Sequence, residues 1–185
     1  MSVTKFIEFL DKVTGCVDSE EKVDVVFLDF AKAFDKVPFK WLMLKLKSHG
    51  ITGKVASCIE EWLNNRKQRL GITGTLSELV PVISGVPQGS VLGPLPFLIY
   101  INDLDCNVKN WILKFADDTK IFSKIMDDND RDSLQQDLVT WSEECQMMFN
   151  ISKCKVMHLA KNQVPRHYFI KNQQLDEVKK KTTWE

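Results

Sequence analysis

Three aspartates carry the chemistry that this sequence can offer. Asp117 and Asp118 stand side by side in WILKFADDTKIF (111–122), inside an apolar, strand-forming stretch. A tight turn between two strands would normally use Asn-Gly or Asp-Gly, and neither occurs there. Asp29 lies at the end of VDVVFLDF (23–30), a β-branched and aromatic run bounded by charge that reads as a buried strand. If the three carboxylates meet, each pair at about 5 Å costs roughly 3 kcal/mol at an effective dielectric of ~20. One would then take up a proton, or the site would open. A divalent cation removes the conflict, since Mg²⁺ prefers carboxylate oxygens, waters and substrate phosphates. Two such ions ~4 Å apart can activate an attacking hydroxyl and stabilise a leaving phosphate. The alternative is an exposed polar turn between two edge strands.

Two further stretches bear on the choice. In LDFAKAFDKV (28–37), Phe34 follows Asp29 by five residues and suits the floor under a nucleotide sugar, or ordinary core packing. Asp35 suits a helix cap before Pro38. In SGVPQGSVLGP (84–94), Gly85, Gly89 and Gly93 keep the backbone bare, so that a base pair could lie against it with Gln88 as a hydrogen-bonding group. Ser90 reads as the N-cap of a helix running to about Asp103, whose positive end favours phosphate.

The elements needed to bring these groups together follow from periodicity. Val3, Phe6, Ile7, Leu10 and Val13 recur at helical spacing at the N-terminus. The segment after Asp29 reads as helical to about residue 65, broken at His49-Gly50, with a second helix over 54–65. Residues 67–84 read as two short strands around Gly74. Residues 111–116 and 119–124 form a hairpin. Residues 130–149 form a helix with Leu134, Leu138, Trp141, Cys145 and Met148 on one face. KVMHL (155–159) is a strand. With the 54–104 insertion set aside, the order is strand, helix, strand, strand, helix, strand, a ferredoxin-like split βαβ pattern. Its first and middle strands are neighbours, which carries Asp29 to the end of the sheet that holds Asp117 and Asp118.

Composition bounds the alternatives. At 185 residues with 44% hydrophobic and 27% charged, the chain suits one domain with an ordinary core. The longest apolar run, VLGPLPFLIYI (91–101), carries two prolines and falls well short of the ~20 residues a membrane span needs. No signal peptide or targeting segment is visible. Cysteines 16, 58, 106, 145 and 154 form no CxxC pair, which points to reduced thiols in an intracellular protein. Cys145, Cys154 and His158 read as packing residues before they read as a metal site. The formal net charge is zero but unevenly spread. Residues 36–69 hold eight Lys/Arg against two Glu, and residues 102–145 hold eleven acids against five bases. The basic stretch can follow a phosphate backbone or form a solvated helix face.

Together, FLDFAKAFDKV, SGVPQGSVLGP and FADDTKIF resemble the palm motifs of reverse transcriptases from non-LTR, LINE-type retrotransposons, in order and spacing as well as wording. WLNNRKQRL (62–70) and FNISKCKVMHL (149–159) resemble the same family, and the likeness covers roughly residues 5–178. The resemblance implies an α+β polymerase palm, a ferredoxin-like antiparallel sheet with helices on one face, partial fingers and no thumb. It implies RNA-directed DNA synthesis on an RNA template with a DNA primer and dNTPs, using two Mg²⁺ ions or substitute Mn²⁺. Asp29, Asp117 and Asp118 match the metal-binding carboxylates. Phe30, Phe34, Gln88 and Gly89 match positions around the incoming nucleotide, with Phe34 under its sugar. Lys153 or Lys155 matches a lysine near the triphosphate, a proton donor to pyrophosphate. Arg66, Lys67, Arg69, Gly85, Pro87 and Ser90 match template and primer contacts. By family analogy the setting is nuclear and cytoplasmic, with no membrane.

The expected division is an N-terminal helix left from the fingers (1–22), a palm (23–160) and a tail (161–185) that stops before a thumb. Such a palm fragment should be weakly active or inactive alone, and should depend on fingers, a thumb or another protein. The rival expectation is a non-catalytic retroelement remnant that acts as an interaction protein. A different Mg²⁺ phosphotransferase would not need Phe34 or the Gly85–Gly93 loop at this spacing. Pro96, where the family usually has Leu, would cost ~3 kcal/mol inside a helix.

Overall fold

A computed structural model describes residues 3–87, 93–102, 106–115, 118–144, 147–159 and 166–179. In chain order these form α1 (Val3–Asp18), β1 (Lys22–Asp29), a 3₁₀ turn (Ala33–Asp35), α2 (Phe39–Ser48) and α3 (Gly53–Asn64). Four short strands follow: β2 (Lys67–Gln68), β3 (Gly71–Ile72), β4 (Thr75–Leu76) and β5 (Val80–Pro81). Then come α4 (Pro94–Ile101), β6 (Trp111–Phe115), β7 (Asp118–Ile125), α5 (Asp128–Glu144) and β8 (Lys155–Leu159). The chain closes with β9 (Phe169–Ile170), β10 (Gln173–Gln174) and β11 (Asp176–Glu177). No helix among the described residues is long and apolar enough to cross a membrane. Two compact units divide the chain: Met1–Ala31 with Leu104–Glu185, and Lys32–Asp103.

The first unit is built on a five-stranded sheet of order β11-β8-β1-β7-β6. Its four longer strands are antiparallel and carry the ferredoxin-like order; β11 adds to the edge in parallel with β8. β1 is apolar at both alternations, so both of its faces need cover. Val23, Val25 and Phe27 pack with Phe122, Leu113 and the α1 residues Phe9 and Val13. The alternate residue Asp24 faces Arg131 of α5, so the sheet carries a helix on each face rather than on one. Within α1 the inward stripe is Phe6, Phe9, Val13 and Cys16, while Ile7 and Leu10, expected on the apolar face, are exposed. The Phe9 and Phe122 rings meet edge to face at 4.9 Å, a favoured aromatic geometry.

α5 buries Leu134, Leu138 and Trp141 as expected; its described part runs to Glu144, and the chain is no longer helical at Met147. The chain then turns back to pair with β1, through Ala31 N–H to Met148 O at 2.7 Å and a bridge between Phe30 and Phe149. That turn buries Met147 and leaves Met148 exposed, the reverse of a helix continued to 149. Cys145 lies outside the described residues. The buried Asp137 of α5 accepts the backbone N–H groups of Lys109 and Asn110 at 2.8–3.1 Å, which fixes the entry to β6.

Asp24 is fully buried in the middle of the sheet. It accepts the Tyr168 hydroxyl at 2.6 Å and faces His158 Nδ1 at 2.6 Å, with Arg131 Nε at 3.9 Å. A buried carboxylate needs such partners. Burial, and then the Asp24 carboxylate, push the Tyr168 phenol far above its usual range, so it stays a donor. This bond ties the 166–179 segment, which the sequence left as tail, onto the sheet. The β9–β10 turn at Lys171 and Asn172, both at positive φ, has the backbone of a two-residue hairpin.

In the second unit, α2 packs on α3 and α4 and buries Leu42, Met43 and Leu46. β3 and β4 pair around Thr73-Gly74, and β2 and β5 pair outside them, two nested pairs rather than two strands. The described part of α4 begins at Pro94, and Gly93 before it is already in the right-handed helical region; the carbonyl that sets the cost of Pro96 belongs to residue 92, outside the described residues. The Ser90 cap lies outside the described residues.

Tyr168→Phe should lower stability by about 1–3 kcal/mol, the cost of stripping a donor from a buried carboxylate. Urea denaturation measures it. A change within experimental error would mean that Tyr168 does not hold the C-terminal segment.

Candidate active site

Strand pairing sets the core of the site. Asp29, the last residue of β1, lies directly opposite Asp118, the first residue of β7. Directly opposed residues of an antiparallel pair project from the same face, with Cβ atoms about 4.5–5.5 Å apart. Both side chains are partly buried. β6 and β7 pair out to Phe115 and Asp118, and Asp117 lies outside the described residues. Among the described residues, no group of three His, Cys, Asp or Glu gathers to hold a metal ion. Two carboxylates on one face at this separation repel by about 3 kcal/mol at an effective dielectric of ~20.

The loop after α5 holds the β1 end in place. Asn150 N–H donates to Asp29 O at 2.9 Å, and Asp29 N–H donates to the buried Cys154 Sγ at 3.5 Å. The same loop brings Lys153 Nζ to 3.8 Å from Asp29 Oδ2, with most of the lysine exposed. Lys155, the other candidate, is bonded to Asp176 at 2.7 Å. Lys120, one same-face step from Asp118, is buried with its ammonium 5.3–6.0 Å from the Phe6, Phe9 and Phe27 ring centres. Asn150 and Lys120 were not singled out from the sequence, and Cys154 was read there only as a packing residue. Only the resemblance of FNISKCKVMHL marked the region, and nothing local predicts a thiol beneath a strand end.

The Gly-rich segment meets the AFDKV segment within the second unit. Gly85 N–H donates to Val37 O at 2.9 Å, Val86 N–H to Phe34 O at 2.7 Å, and Ser84 Oγ to Asp35 O at 2.8 Å. Gly85 has φ +84°, and a Cβ there would lie 2.6 Å from Asp35 Cα and O. No other residue fits. The Gly85 carbonyl accepts the guanidinium of Arg66, which also sits over the Phe39 and Trp62 rings. Burial pulls the Arg66 pKa below its ordinary value. Arg66 thus braces the loop and is half-buried, whereas Lys67 and Arg69 are exposed. An open cleft of about 530 Å³ is lined here by Lys32, Asp35, Lys36, Gln68, Ser84, Pro87 and neighbours.

The aromatic positions divide. Phe34 is half-buried against Phe97, ring centres 4.5 Å apart. Phe30, expected beside a nucleotide, turns its ring into the core against Trp141 and Phe149 at 5.4 and 5.1 Å. Its side chain is only 4% exposed and offers no face to a ligand. Gln88, Gly89 and Ser90 lie outside the described residues.

The chain is similar to known proteins along most of its length. Residues 5–183 match the model of a family described as reverse transcriptase (RNA-dependent DNA polymerase). The chain is similar to the probable RNA-directed DNA polymerase from transposon X-element of Drosophila melanogaster, 27% identical over 179 residues, which are 91% of this chain and 20% of that protein. It is similar to the RNA-directed DNA polymerase from mobile element jockey of Drosophila melanogaster, 27% identical over 75% of this chain and 16% of that protein. It thus spans a fifth or less of the length of these relatives. Among solved structures, telomerase from Candida tropicalis in complex with a fragment of telomeric RNA superposes with a TM-score of 0.63 at 11% identity. That match covers 86% of this chain and 31% of the telomerase chain, and it shows a shared fold.

Gly85→Ala and Gly74→Ala separate backbone strain from close approach, because both glycines have φ near +85° but a Cβ at Gly74 meets nothing within 4 Å. Gly74→Ala should cost about 1–2 kcal/mol. Gly85→Ala should cost at least ~3 kcal/mol once overpacking against Asp35 is added. Equal losses in thermal melts would mean that the contact between the two segments is not tight.

Proposed function

We propose, for a chain that belongs to the reverse transcriptase (RNA-dependent DNA polymerase) family, a palm that performs template-directed nucleotidyl transfer. Asp29, Asp117 and Asp118 would hold divalent cations. The observation that carries this reading is the register that sets Asp29 opposite Asp118. Paired carboxylates at a strand end form a hard-oxygen donor set suited to Mg²⁺ or Mn²⁺, and a cation would relieve their repulsion. When bound, two such ions activate the primer hydroxyl and stabilise the leaving pyrophosphate.

The remaining residues bind, position and supply a proton. Asp29 is held by Asn150 and Cys154, so its carboxylate needs little reorganisation. Lys153, exposed beside Asp29, is the proton donor to pyrophosphate; Lys155 is engaged elsewhere. Phe34 presents the sugar floor, and Gln88 and Gly89 hold the template–nucleotide pair. Lys67, Arg69, Pro87 and Ser90 meet template and primer, while Gly85 and Arg66 shape the loop that does so. The partners in this reading are an RNA template, a DNA primer and dNTPs, in the nucleus or cytoplasm. Residues 23–160 are the palm and 1–22 belong with the fingers.

A non-catalytic role in protein interaction is the second reading. The observation that favours it is the β2–β5 region, where Leu70, Ile72, Leu76, Leu79, Val80 and Ile83 are all more than half exposed; exposed apolar side chains that form one patch mark interaction surfaces.

Mg²⁺ or Mn²⁺ should raise the melting temperature of the wild-type chain; saturation at a hundredfold over Kd corresponds to ~2.7 kcal/mol. Asp118→Asn and Asp29→Asn should respond little to the metal. Equal responses in wild type and both variants would remove the proposed metal site.

A further inference from the structure

The second unit carries charge that its cleft does not use. Lys32–Asp103 holds nine Lys/Arg against five Asp/Glu, net +4, in a chain whose net charge is zero. Part of that excess lies on α2, on the side turned away from its packing. Leu42, Met43 and Leu46 of α2 are buried. Lys40, Trp41, Leu44 and Lys47 are exposed, with Trp41 at 45% and Leu44 at 50%. Lys45 is spoken for, its ammonium 5.3 Å from the Tyr100 ring centre. An open groove of about 410 Å³ runs beside this face, lined by Phe39, Lys40, Leu44, Lys47, Glu60 and Asn64. It shares no residue with the cleft at Gly85.

We propose that this outer face of α2 is a second docking surface, for single-stranded nucleic acid. Lysines at positions 40 and 47 stand two helical turns apart, about 10 Å in rise, and so can reach successive backbone phosphates. Trp41, 45% exposed and one helical step of about 100° from Lys40, supplies an indole at the edge of this face, outside the groove lining. An unpaired base can stack on it as a paired base cannot. Charge complementarity selects the occupant: two free ammonium groups face the groove against the one carboxylate of Glu60. An acidic amphipathic protein segment would use the same lysines, but would leave the indole without its stacking partner. The proposal rests on the nucleic-acid-handling reading above only for the class of ligand, and it needs no metal.

The test is anisotropy of a fluorescein-labelled oligouridylate with the full chain, in EDTA so that Asp29 and Asp118 play no part. Trp41→Ala should weaken binding about fivefold or more, and Trp41→Phe should restore it. The Lys40→Gln/Lys47→Gln double variant should reduce the slope of log affinity against log salt by about 1.4, the value for two phosphates on a single strand. All these side chains are exposed, and unchanged melting temperatures confirm that the variants fold. Wild-type binding by Trp41→Ala and by the double variant would overturn the proposal, even if Lys67→Gln/Arg69→Gln weakens binding. Equal affinity for duplex RNA would overturn it too. So would binding of an acidic amphipathic peptide with no binding of RNA. Each of these failures leaves the metal response of Asp29 and Asp118 untouched, so the polymerase reading stands or falls separately.

Discussion

Two like charges facing each other across paired strands are the constraint around which the first unit is organised. β1 and β7 pair along their whole length, and the pairing ends on Asp29 and Asp118. A sheet has no structural use for such a terminus. The pair is tolerated because everything behind it is stiff. β1 is central, with β7 on one side and β8 on the other. Its faces are covered by α1 and α5, and its far half is tied through Asp24 to Tyr168, His158 and Arg131. The stability needed to hold two carboxylates together thus comes from apolar and hydrogen-bonded groups several residues away along the same strand.

The loop after α5 adds the second layer. Asn150 and Cys154 hold the backbone of Asp29, while Lys153 places an exposed cation beside its carboxylate. Rigid backbone with an exposed ammonium is the combination that a proton-donating lysine needs. In the second unit the same economy recurs around Gly85. A glycine at positive φ lets two backbones touch, and Arg66 closes the contact from the other side. An arginine that looks like a phosphate contact in the sequence is therefore committed to the fold, and the neighbouring Lys67 and Arg69 carry the exposed charge.

Much of this was legible in the residues. The strand that carries Asp29 and the hairpin strands on either side of Asp117 and Asp118 followed from β-branched and aromatic runs, but Asp118, read as part of the turn, belongs to β7. The strand Lys155–Leu159 and the helix Gly53–Asn64 appeared where periodicity put them. The adjacency of Asp29 and Asp118 followed from element order alone, across a separation that no local signal spans. What escaped was decided by tertiary contact. The buried stripe of α1 shifted to Phe6, Phe9, Val13 and Cys16 because Phe122 and Val25 receive Phe9, and helical period alone cannot choose between two apolar stripes. Helix α5 stopped short because the chain after it pairs with Phe30 and Ala31. The docking of Tyr168 on Asp24 was invisible because polar groups in a tail look alike until one of them meets a buried partner. Phe30 and Arg66 carried site-like contexts but were consumed by packing.

Paramagnetic broadening of backbone amide resonances during Mn²⁺ titration tests the central claim most directly. On this account, the first signals to vanish are those around Asp29, Asp118 and Asn150–Cys154, which the strand register and the loop bring to one place. Broadening that begins instead at the exposed acids Asp127, Asp128 and Asp130 of the α5 N-terminus, or that spreads without a centre, would contradict it. The facing carboxylates would then be a strained strand end and not a metal-binding site.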